Sequence, residues 1–242
     1  MAIEELAAEQ MDRLRANPYP GRGIVIGGTP NGMYLVQVYW IMGRSANSRN
    51  RVFVQEGELV RTAPFDESKV EDPSLIIYNC VRPLGRAHIV SNGDQTDTVF
   101  EALAGGVSFE TALRTRTFEP DAPNYTPRIA GLVDLDDDRH AYQLAVLKAI
   151  DNNPDYPTRQ FFDYPTPIPG VGHLVSTYET DGSPLPAFEG EPKPVEIVDD
   201  IDATLALYWE ALDADNKVSL LVKYIEPEGN SAEIRIANKN QA

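Results

Sequence analysis

The sequence has little of what marks an extracellular or a membrane protein. Cys80 is the single cysteine, so no internal disulfide can form and no cysteine-based metal site can be built. No apolar run approaches the roughly 20 residues that a membrane-spanning helix needs. Residues 1–16 are amphipathic and acidic, unlike the basic and then apolar start of a signal peptide. We therefore expect a cytoplasmic protein.

Basic residues are also scarce. The chain has 21 Lys and Arg against 37 Asp and Glu, which gives a formal net charge of -16. A protein this acidic repels phosphate backbones and anionic lipid, so we expect neither a nucleic-acid nor a membrane partner. A phosphorylated small molecule can still bind where several arginines converge. His88, His140 and His173 are scattered along the chain, so we expect no metal site.

Apolar residues are plentiful enough for one substantial core, since they make up 42% of the 242 residues. We expect a single domain over residues 1–242, in which residues 1–18 form a leading helix and a linker. Apolar residues at helical spacing predict four helices. They cover residues 3–15, 94–103, 108–113 and 199–212. Asp94 and Ser108 are the expected caps of the second and third helices.

Short β-patterned segments make up most of the remaining chain. The turn at residues 29–32 contains Asn-Gly, which adopts positive φ at low cost and predicts a hairpin. The proline-rich residues 151–170 and 181–194 are expected to be loops. Strands are predicted at residues 23–28, 33–42, 51–55, 58–61, 75–81, 87–90, 128–135, 140–150, 172–178, 218–225 and 233–237. Hairpins come first, helices in the middle and hairpins again at the end. This order favours an α+β fold of two mainly antiparallel sheets over βαβ winding.

Polar residues interrupt the predicted strands, or lie at their ends, in five short segments. These segments are residues 19–22, 43–51, 78–80, 91–97 and 126–128. Arginine forks match phosphate oxygens, and the free N–H groups at a helix start favour an anion. Asn79 and Asn92 offer both donors and acceptors to a heterocyclic base. Each segment also has an ordinary explanation, such as a solvated ion pair, a core tyrosine or a simple turn. Taken singly, they leave the function open.

Together, and in this order, the segments resemble the archaeal-type IMP cyclohydrolases. The resemblance covers roughly residues 19–135 and is looser beyond. The matching segments are Tyr19-Pro-Gly-Arg22 running into Gly23–Gly27, Arg44-Ser45, Asn50-Arg51, Tyr78-Asn-Cys-Val81, Val90-Ser-Asn-Gly93 followed by Thr96-Asp97, and Tyr125-Thr-Pro-Arg-Ile129. One departure is Gln95, which stands where archaeal members often have histidine.

The resemblance implies a fold and a reaction. The fold is a four-layer αββα sandwich similar to the N-terminal-nucleophile hydrolases. The reaction is the closure of 5-formamidoimidazole-4-carboxamide ribotide to IMP with loss of water, in purine biosynthesis. No cofactor and no metal are expected. The expected partner is the small purine ribotide itself.

The resemblance and the demands of this reaction suggest a set of site residues. The predicted catalytic residues are Arg22, Tyr78, Asn79 and Asp97. The predicted substrate-binding residues are Arg44, Asn50, Arg51, Asn92, Gly93 and Arg128. Arg22 is assigned to the developing oxyanion, Tyr78 to donation or proton relay, and Asp97 to the role of base or orienting group. The two asparagines Asn79 and Asn92 would orient the carboxamide, and the remaining arginines would hold the 5′-phosphate.

Three other functions remain open at this point. One is an N-terminal-nucleophile amidohydrolase, although no nucleophile stands at the start of the first strand. Another is a purine ribotide-binding protein without catalysis. The third is a cyclohydrolase that acts on a related nucleotide. The sequence also leaves the oligomeric state open, including a homo-oligomer.

Overall fold

Two antiparallel sheets form the centre of the molecule. The computed structural model describes residues 2–70 and 77–241. The first sheet has six strands in the order β11-β10-β1-β2-β12-β13. Its strands are β1 (Gly23–Gly28), β2 (Leu35–Met42), β10 (Val171–Ser176), β11 (Lys193–Glu196), β12 (Lys217–Ile225) and β13 (Ala232–Asn238). This sheet is therefore built from both ends of the chain.

The second sheet has seven strands that follow one another in chain order, from β3 to β9. Each strand pairs antiparallel with the next. The strands are β3 (Arg51–Glu56), β4 (Leu59–Pro64), β5 (Asn79–Leu84), β6 (Ala87–Ser91), β7 (Arg128–Asp134), β8 (Tyr142–Ala149) and β9 (Pro157–Tyr164). This meander uses only residues from the middle of the chain.

Helices cover the outer face of each sheet. The helices are α1 (Ile3–Ala16), α2 (Ala46–Arg49), α3 (Gln95–Ala104), α4 (Phe109–Leu113) and α5 (Ile201–Ala211). Helices α1 and α5 pack on the six-stranded sheet, and α3 packs on the seven-stranded sheet together with α4. No helix in the described part of the chain is long and apolar enough to span a bilayer.

Three apolar layers hold these elements together. Ile24, Tyr39 and Leu144 belong to the layer between the two sheets, which is the largest. Trp40 belongs to the layer beneath α1 and α5, and Val99 to the layer beneath α3 and α4. The α+β class and the αββα layering are thus confirmed. The likeness to N-terminal-nucleophile hydrolases stays a prediction.

Several predicted elements differ from the structure. Residues 151–170 were expected to form a loop, but they contain β9, which pairs with β8 along its whole length. Asp94 was expected to cap α3, but its side chain accepts no bond from the helix N–H groups. Its carboxylate pairs instead with Arg116 and Arg128. Tyr78 lies just before β5 rather than inside it. Residues 75 and 76, the first two of the predicted strand 75–81, lie outside the described residues.

His88 is a buried histidine that should make stability depend on pH. Its ring is fully buried between the sheets, and its Nε2 lies 2.9 Å from Oδ1 of Asn230. Burial lowers the pKa of His88 to about 4, and the nearby Lys223 lowers it further, while Asn230 and Glu58 oppose the shift. Because the unfolded chain binds this proton more readily, folding free energy should be lost as pH falls from about 6.5 to 4.

We expect this loss to reach about 3 kcal/mol for His88, from the size of its pKa shift. The measurement is the free energy of unfolding by urea at several pH values. In His88→Gln, the fall in the free energy of unfolding over this pH range should be smaller by about 3 kcal/mol. The wild-type protein, measured in the same buffers, is the reference. An unchanged slope in His88→Gln would contradict the prediction.

Candidate active site

The topology brings the polar segments to one edge of the sandwich. In an antiparallel meander, the starts of β3, β5 and β7 lie at the same sheet edge as the ends of β4 and β6. Arg51 begins β3, Tyr78 precedes β5 and Arg128 begins β7. Arg22 precedes β1 in the facing sheet, and its charge acts on Tyr78, Arg51 and Glu119. Residues that are far apart in sequence therefore meet here.

Arg22 and Arg51 form the cationic centre of this edge, which we call the arginine pair. Arg51 is 1% exposed, and its Nε donates to the Ser48 carbonyl at 2.9 Å. Nη1 of Arg51 and Nε of Arg22 are buried and have no hydrogen-bond partner among the described residues. Burial and the charge of Arg22 lower the pKa of Arg51. Two guanidinium groups with unused donors are suited to an anionic group.

Tyr78 lies beside the arginine pair and is joined to the opposite sheet. Its hydroxyl lies 2.7 Å from the hydroxyl of Tyr39, which comes from β2. Burial raises the pKa of Tyr78, and the charges of Arg51 and Arg22 act against this increase. Its backbone N–H donates to Oγ1 of Thr62 at 3.0 Å. The phenol is therefore held in place at the junction of the two sheets, within the field of both arginines.

Glu119 supplies the carboxylate of this edge. It is 4% exposed and lies in the segment between α4 and β7. Burial raises the pKa of Glu119, while Arg22 and Arg128 act in the opposite direction and Asp121 adds to the increase. Burial lowers the pKa of Arg22, but Glu119 and then Tyr78 outweigh this effect and raise it overall. A buried carboxyl with a raised pKa beside a cation can accept a proton during a reaction.

Arg128 is paired with two side chains at the start of α3. Its Nη1 donates to Oδ1 of Asp94 at 2.6 Å and to Oε1 of Gln95 at 2.5 Å. Gly93 lies directly against this group, because a Cβ at Gly93 would stand 2.7 Å from the same Nη1. A larger residue at this position would need the ends of the Gln95 and Arg128 side chains to shift. Part of the positive charge at this position is already balanced by Asp94.

Two predicted binding residues, Asn50 and Asn92, use their amides within the protein. Asn92 donates from Nδ2 to the Pro127 carbonyl at 2.9 Å, and its Oδ1 accepts from Gln95 and from the Ile129 N–H. Asn50 is held in the same way by the backbone of Asp66, at 2.8 Å for both bonds. Asn50 thereby joins the residue before β3 to the residues after β4, and Asn92 joins the end of β6 to the start of β7.

Arg44 lies at the exposed rim of the site. It forms an ion pair with Asp181 and donates to the Gly182 carbonyl at 2.9 Å. Its guanidinium also lies 5.0 Å from the centre of the Tyr19 ring. Tyr19 stacks on Tyr178, and both tyrosines contribute to raising the pKa of Arg22. Arg44 is thus connected to the centre through a pair of aromatic rings.

Asn79 and Asp97 meet each other, but beneath α3 on the outer face of the seven-stranded sheet. Nδ2 of Asn79 donates to both oxygens of the Asp97 carboxylate, at 3.0 and 3.2 Å. Arg82 binds the same carboxylate at 2.6 Å and stacks on Phe100 of α3. We call this group the α3 anchor. Its contacts join α3 to β5, whereas Tyr78 contacts the opposite sheet.

The α3 anchor should matter more for stability than for turnover. Replacing Asp97 with asparagine removes a partly exposed ion pair, so we expect the free energy of unfolding to fall by about 1 kcal/mol. We expect kcat to stay within about threefold of the wild type. The Asp97 carboxylate lies on the outer face of the sheet, and the substitution removes a partly exposed ion pair there. Urea unfolding and steady-state kinetics measure the two effects. A loss of turnover above about 100-fold with normal stability would instead make Asp97 the catalytic base.

Sequence reasoning missed Glu119, Tyr39 and Tyr178. Glu119 stands in the segment Phe118-Glu119-Pro120-Asp121, where an acidic residue beside proline is typical of a solvated turn. Tyr39 occupies an ordinary apolar position of a strand. The single available signal was the position of Tyr178 at a strand end on the site edge. Only the fold brings these three residues to the arginine pair.

A profile of the family described as "IMP cyclohydrolase-like protein" matches residues 19–230. The chain belongs to this family. The match includes every strand from β1 to β12 and the whole site edge from Arg22 to Arg128. Helix α1 lies before the matched residues.

Curated proteins named IMP cyclohydrolase are similar to this family member. The one from Methanopyrus kandleri is 29% identical over 163 residues, which are 66% of this chain and 75% of the relative. The one from Methanocella arvoryzae is 33% identical over 133 residues, 53% of this chain and 62% of the relative. The one from Haloquadratum walsbyi is 31% identical over 119 residues. The chain thus spans 56 to 62% of the length of the second and third relatives.

Proposed function

We propose that this protein is an IMP cyclohydrolase, which closes 5-formamidoimidazole-4-carboxamide ribotide to IMP in purine biosynthesis. The observation that carries the proposal is the arginine pair, with buried and unused donors beside Tyr78 and the buried carboxylate of Glu119. The positive charge of the arginine pair suits an anionic ribotide, although the protein as a whole is acidic. The relatives from Methanopyrus kandleri and Methanocella arvoryzae are named IMP cyclohydrolase, which points to the same reaction.

The reaction makes three chemical demands. The carboxamide nitrogen adds to the formyl carbon, and one carboxamide proton must leave that nitrogen. The formyl oxygen gains negative charge and needs donors that are already in place. The oxyanion takes up the carboxamide proton and becomes a hydroxyl. The formamido nitrogen then loses its own proton as it forms the new C=N bond, and the hydroxyl takes up that second proton and leaves as water. Holding the two groups in one plane supplies much of the remaining effect.

We assign these demands to the groups around the arginine pair. Glu119 accepts the carboxamide proton and passes it to the formyl oxygen, and it then carries the formamido proton to the departing hydroxyl. Arg22 and Tyr78 donate to the formyl oxygen, and Tyr39 orients the Tyr78 hydroxyl through their 2.7 Å contact. This set replaces Asp97 by Glu119 as the proposed base, because the Asp97 carboxylate is already shared by Asn79 and Arg82.

The remaining predicted residues hold the substrate or hold the site. Arg51 and Arg44 are proposed to bind the 5′-phosphate, with Arg128 adding positive potential. The other four predicted residues are proposed as supports of the site edge and of α3, through the bonds described above. These supports are Asn50, Asn79, Asn92 and Gly93. A cytoplasmic location is proposed with this function.

The alternative of an N-terminal-nucleophile amidohydrolase has less support. The residues that lead into β1 are Gly21, Arg22 and Gly23, and none carries a nucleophilic hydroxyl or thiol. The Cys80 thiol is buried, donates to the Val60 carbonyl at 3.3 Å and has a pKa raised by burial. A thiol in that state is a poor nucleophile.

The test is to incubate the purified protein with the formamido ribotide and to follow IMP formation by ultraviolet absorbance. We expect IMP to form far faster than without protein. Calorimetry with IMP runs in parallel. Binding of IMP without cyclisation would select a ribotide-binding protein, and the absence of both with a folded protein would overturn the proposal.

A further inference from the structure

A short polar network closes the segment that carries Glu119. The N–H of Glu119 donates to the Thr126 carbonyl at 2.8 Å, so the segment returns on itself. Inside it, the Thr126 N–H donates to Oδ1 of Asp121 at 2.6 Å, and the Thr126 hydroxyl binds the other oxygen of the same carboxylate. The Thr126 side chain is 1% exposed. We call Asp121 and Thr126 the Thr126 clasp.

The clasp also binds Tyr178 of the facing sheet. Oγ1 of Thr126 lies 2.6 Å from the Tyr178 hydroxyl, and Tyr178 is 3% exposed. Chemistry fixes the direction of these bonds. An ionised carboxylate only accepts, so the Thr126 hydroxyl donates to Asp121. Its oxygen must then accept from Tyr178. The single hydroxyl hydrogen of Tyr178 is thereby used, and only its lone pairs remain for another partner.

Tyr178 lies directly against the segment that carries Arg22. Its N–H donates to the Pro20 carbonyl at 3.2 Å, and the Arg22 N–H donates to Oγ1 of Thr177 at 3.1 Å. A Cβ at Gly21 would stand 2.5 Å from the Tyr178 ring, so the backbone and the ring are in close contact. The charge of Arg22 acts to lower the pKa of the Tyr178 phenol. The clasp therefore joins the Glu119 segment to Tyr178, which packs against the backbone that leads to Arg22.

We propose that Thr126 and Asp121 are positioning residues that fix Tyr178 as a hydrogen-bond acceptor beside Arg22 and hold the Glu119 segment in place. This proposal rests on the proposed function of the same site. The oriented Tyr178 oxygen suits an N–H donor, either the Arg22 guanidinium or an N–H group of the substrate. It cannot donate to the formyl oxygen, so that role belongs to Tyr78.

The kinetic test uses variants that differ only in the hydroxyl groups. Thr126→Val keeps the branched shape and removes the hydroxyl, and we expect kcat to fall roughly tenfold, the effect of one lost positioning bond. Thr126→Ser restores the hydroxyl and should return kcat to within about threefold of the wild type. Tyr178→Phe should lose at least as much as Thr126→Val. The double variant should lose no more than Tyr178→Phe, because Thr126 acts through Tyr178.

A spectroscopic test does not depend on turnover. In protein labelled at the tyrosine ring Cζ with carbon-13, the Tyr178 resonance is assigned by its absence in Tyr178→Phe. It should shift in Thr126→Val and stay in place in Thr126→Ser. Loss of thermal stability in Thr126→Val with wild-type kcat and an unmoved Tyr178 resonance would overturn the proposal. A shifted resonance in a protein that forms no IMP would instead retain the bond network and overturn the proposed function.

Discussion

Replacing Glu119 with glutamine should lower kcat by about 100-fold to 1,000-fold. Positioned acid–base groups contribute on this scale, and glutamine keeps the shape of the side chain while it cannot take up the carboxamide proton. Burial raises the pKa of Glu119, and the base must be ionised. The wild-type rate should therefore fall as pH decreases through that raised pKa. Initial rates of IMP formation across pH measure both effects.

A matched control for Glu119 is Glu110→Gln. Glu110 lies on α4, is about half exposed and pairs with Arg114. We expect this control to keep the wild-type rate and the acid limb of the pH profile. In Glu119→Gln, the acid limb should be missing from the residual activity. A wild-type kcat and an unchanged pH profile in Glu119→Gln would assign the base to another group.

Replacing Arg22 with methionine should lower kcat/KM by about 100-fold to 1,000-fold. Removing one donor from a developing oxyanion costs this much in enzymes where the donor is already in place. Arg22→Lys should recover part of the loss, because the charge returns without the planar fork. Steady-state kinetics give the values, and circular dichroism confirms the fold of each variant.

The control for Arg22 is Arg86→Met. Arg86 lies in the turn between β5 and β6, at the opposite edge of the sandwich, and is also partly buried. It donates to Asp136 and to the Pro227 carbonyl. We expect it to change stability and to leave kcat/KM close to that of the wild type. Equal kinetic losses in the two variants would mean that Arg22 acts only through the fold.

The fold was largely readable from local patterns, and its exceptions have physical causes. Alternating apolar residues marked most strands, and the turn at residues 29–32 joined β1 and β2 as expected. Strand β9 escaped notice because it is an edge strand that starts with Pro157 and remains partly exposed along its length. An edge strand needs little apolar alternation, since one neighbour is enough to hold it.

The site was predictable only in part. The arginine-rich and Tyr78 segments lie at one sheet edge, as the motifs indicated. Side-chain direction was not predictable, because the pairing of β4 and β5 is irregular between Val60 and Arg61. An irregular register changes which side chains face the helix layer. Asn79 thus faces α3. The role of base or orienting group that sequence reasoning gave to Asp97 belongs in our proposal to Glu119.

The order of strands has a consequence for protein synthesis. The seven-stranded meander pairs only neighbours in the chain, so it can form as soon as β9 has left the ribosome. In the six-stranded sheet, β2 pairs with β12, which comes late in the chain. The sheet that carries Arg22 in front of β1 is therefore completed only when translation is nearly finished. A nascent chain truncated before β12 should carry a finished half-molecule and no cyclohydrolase activity.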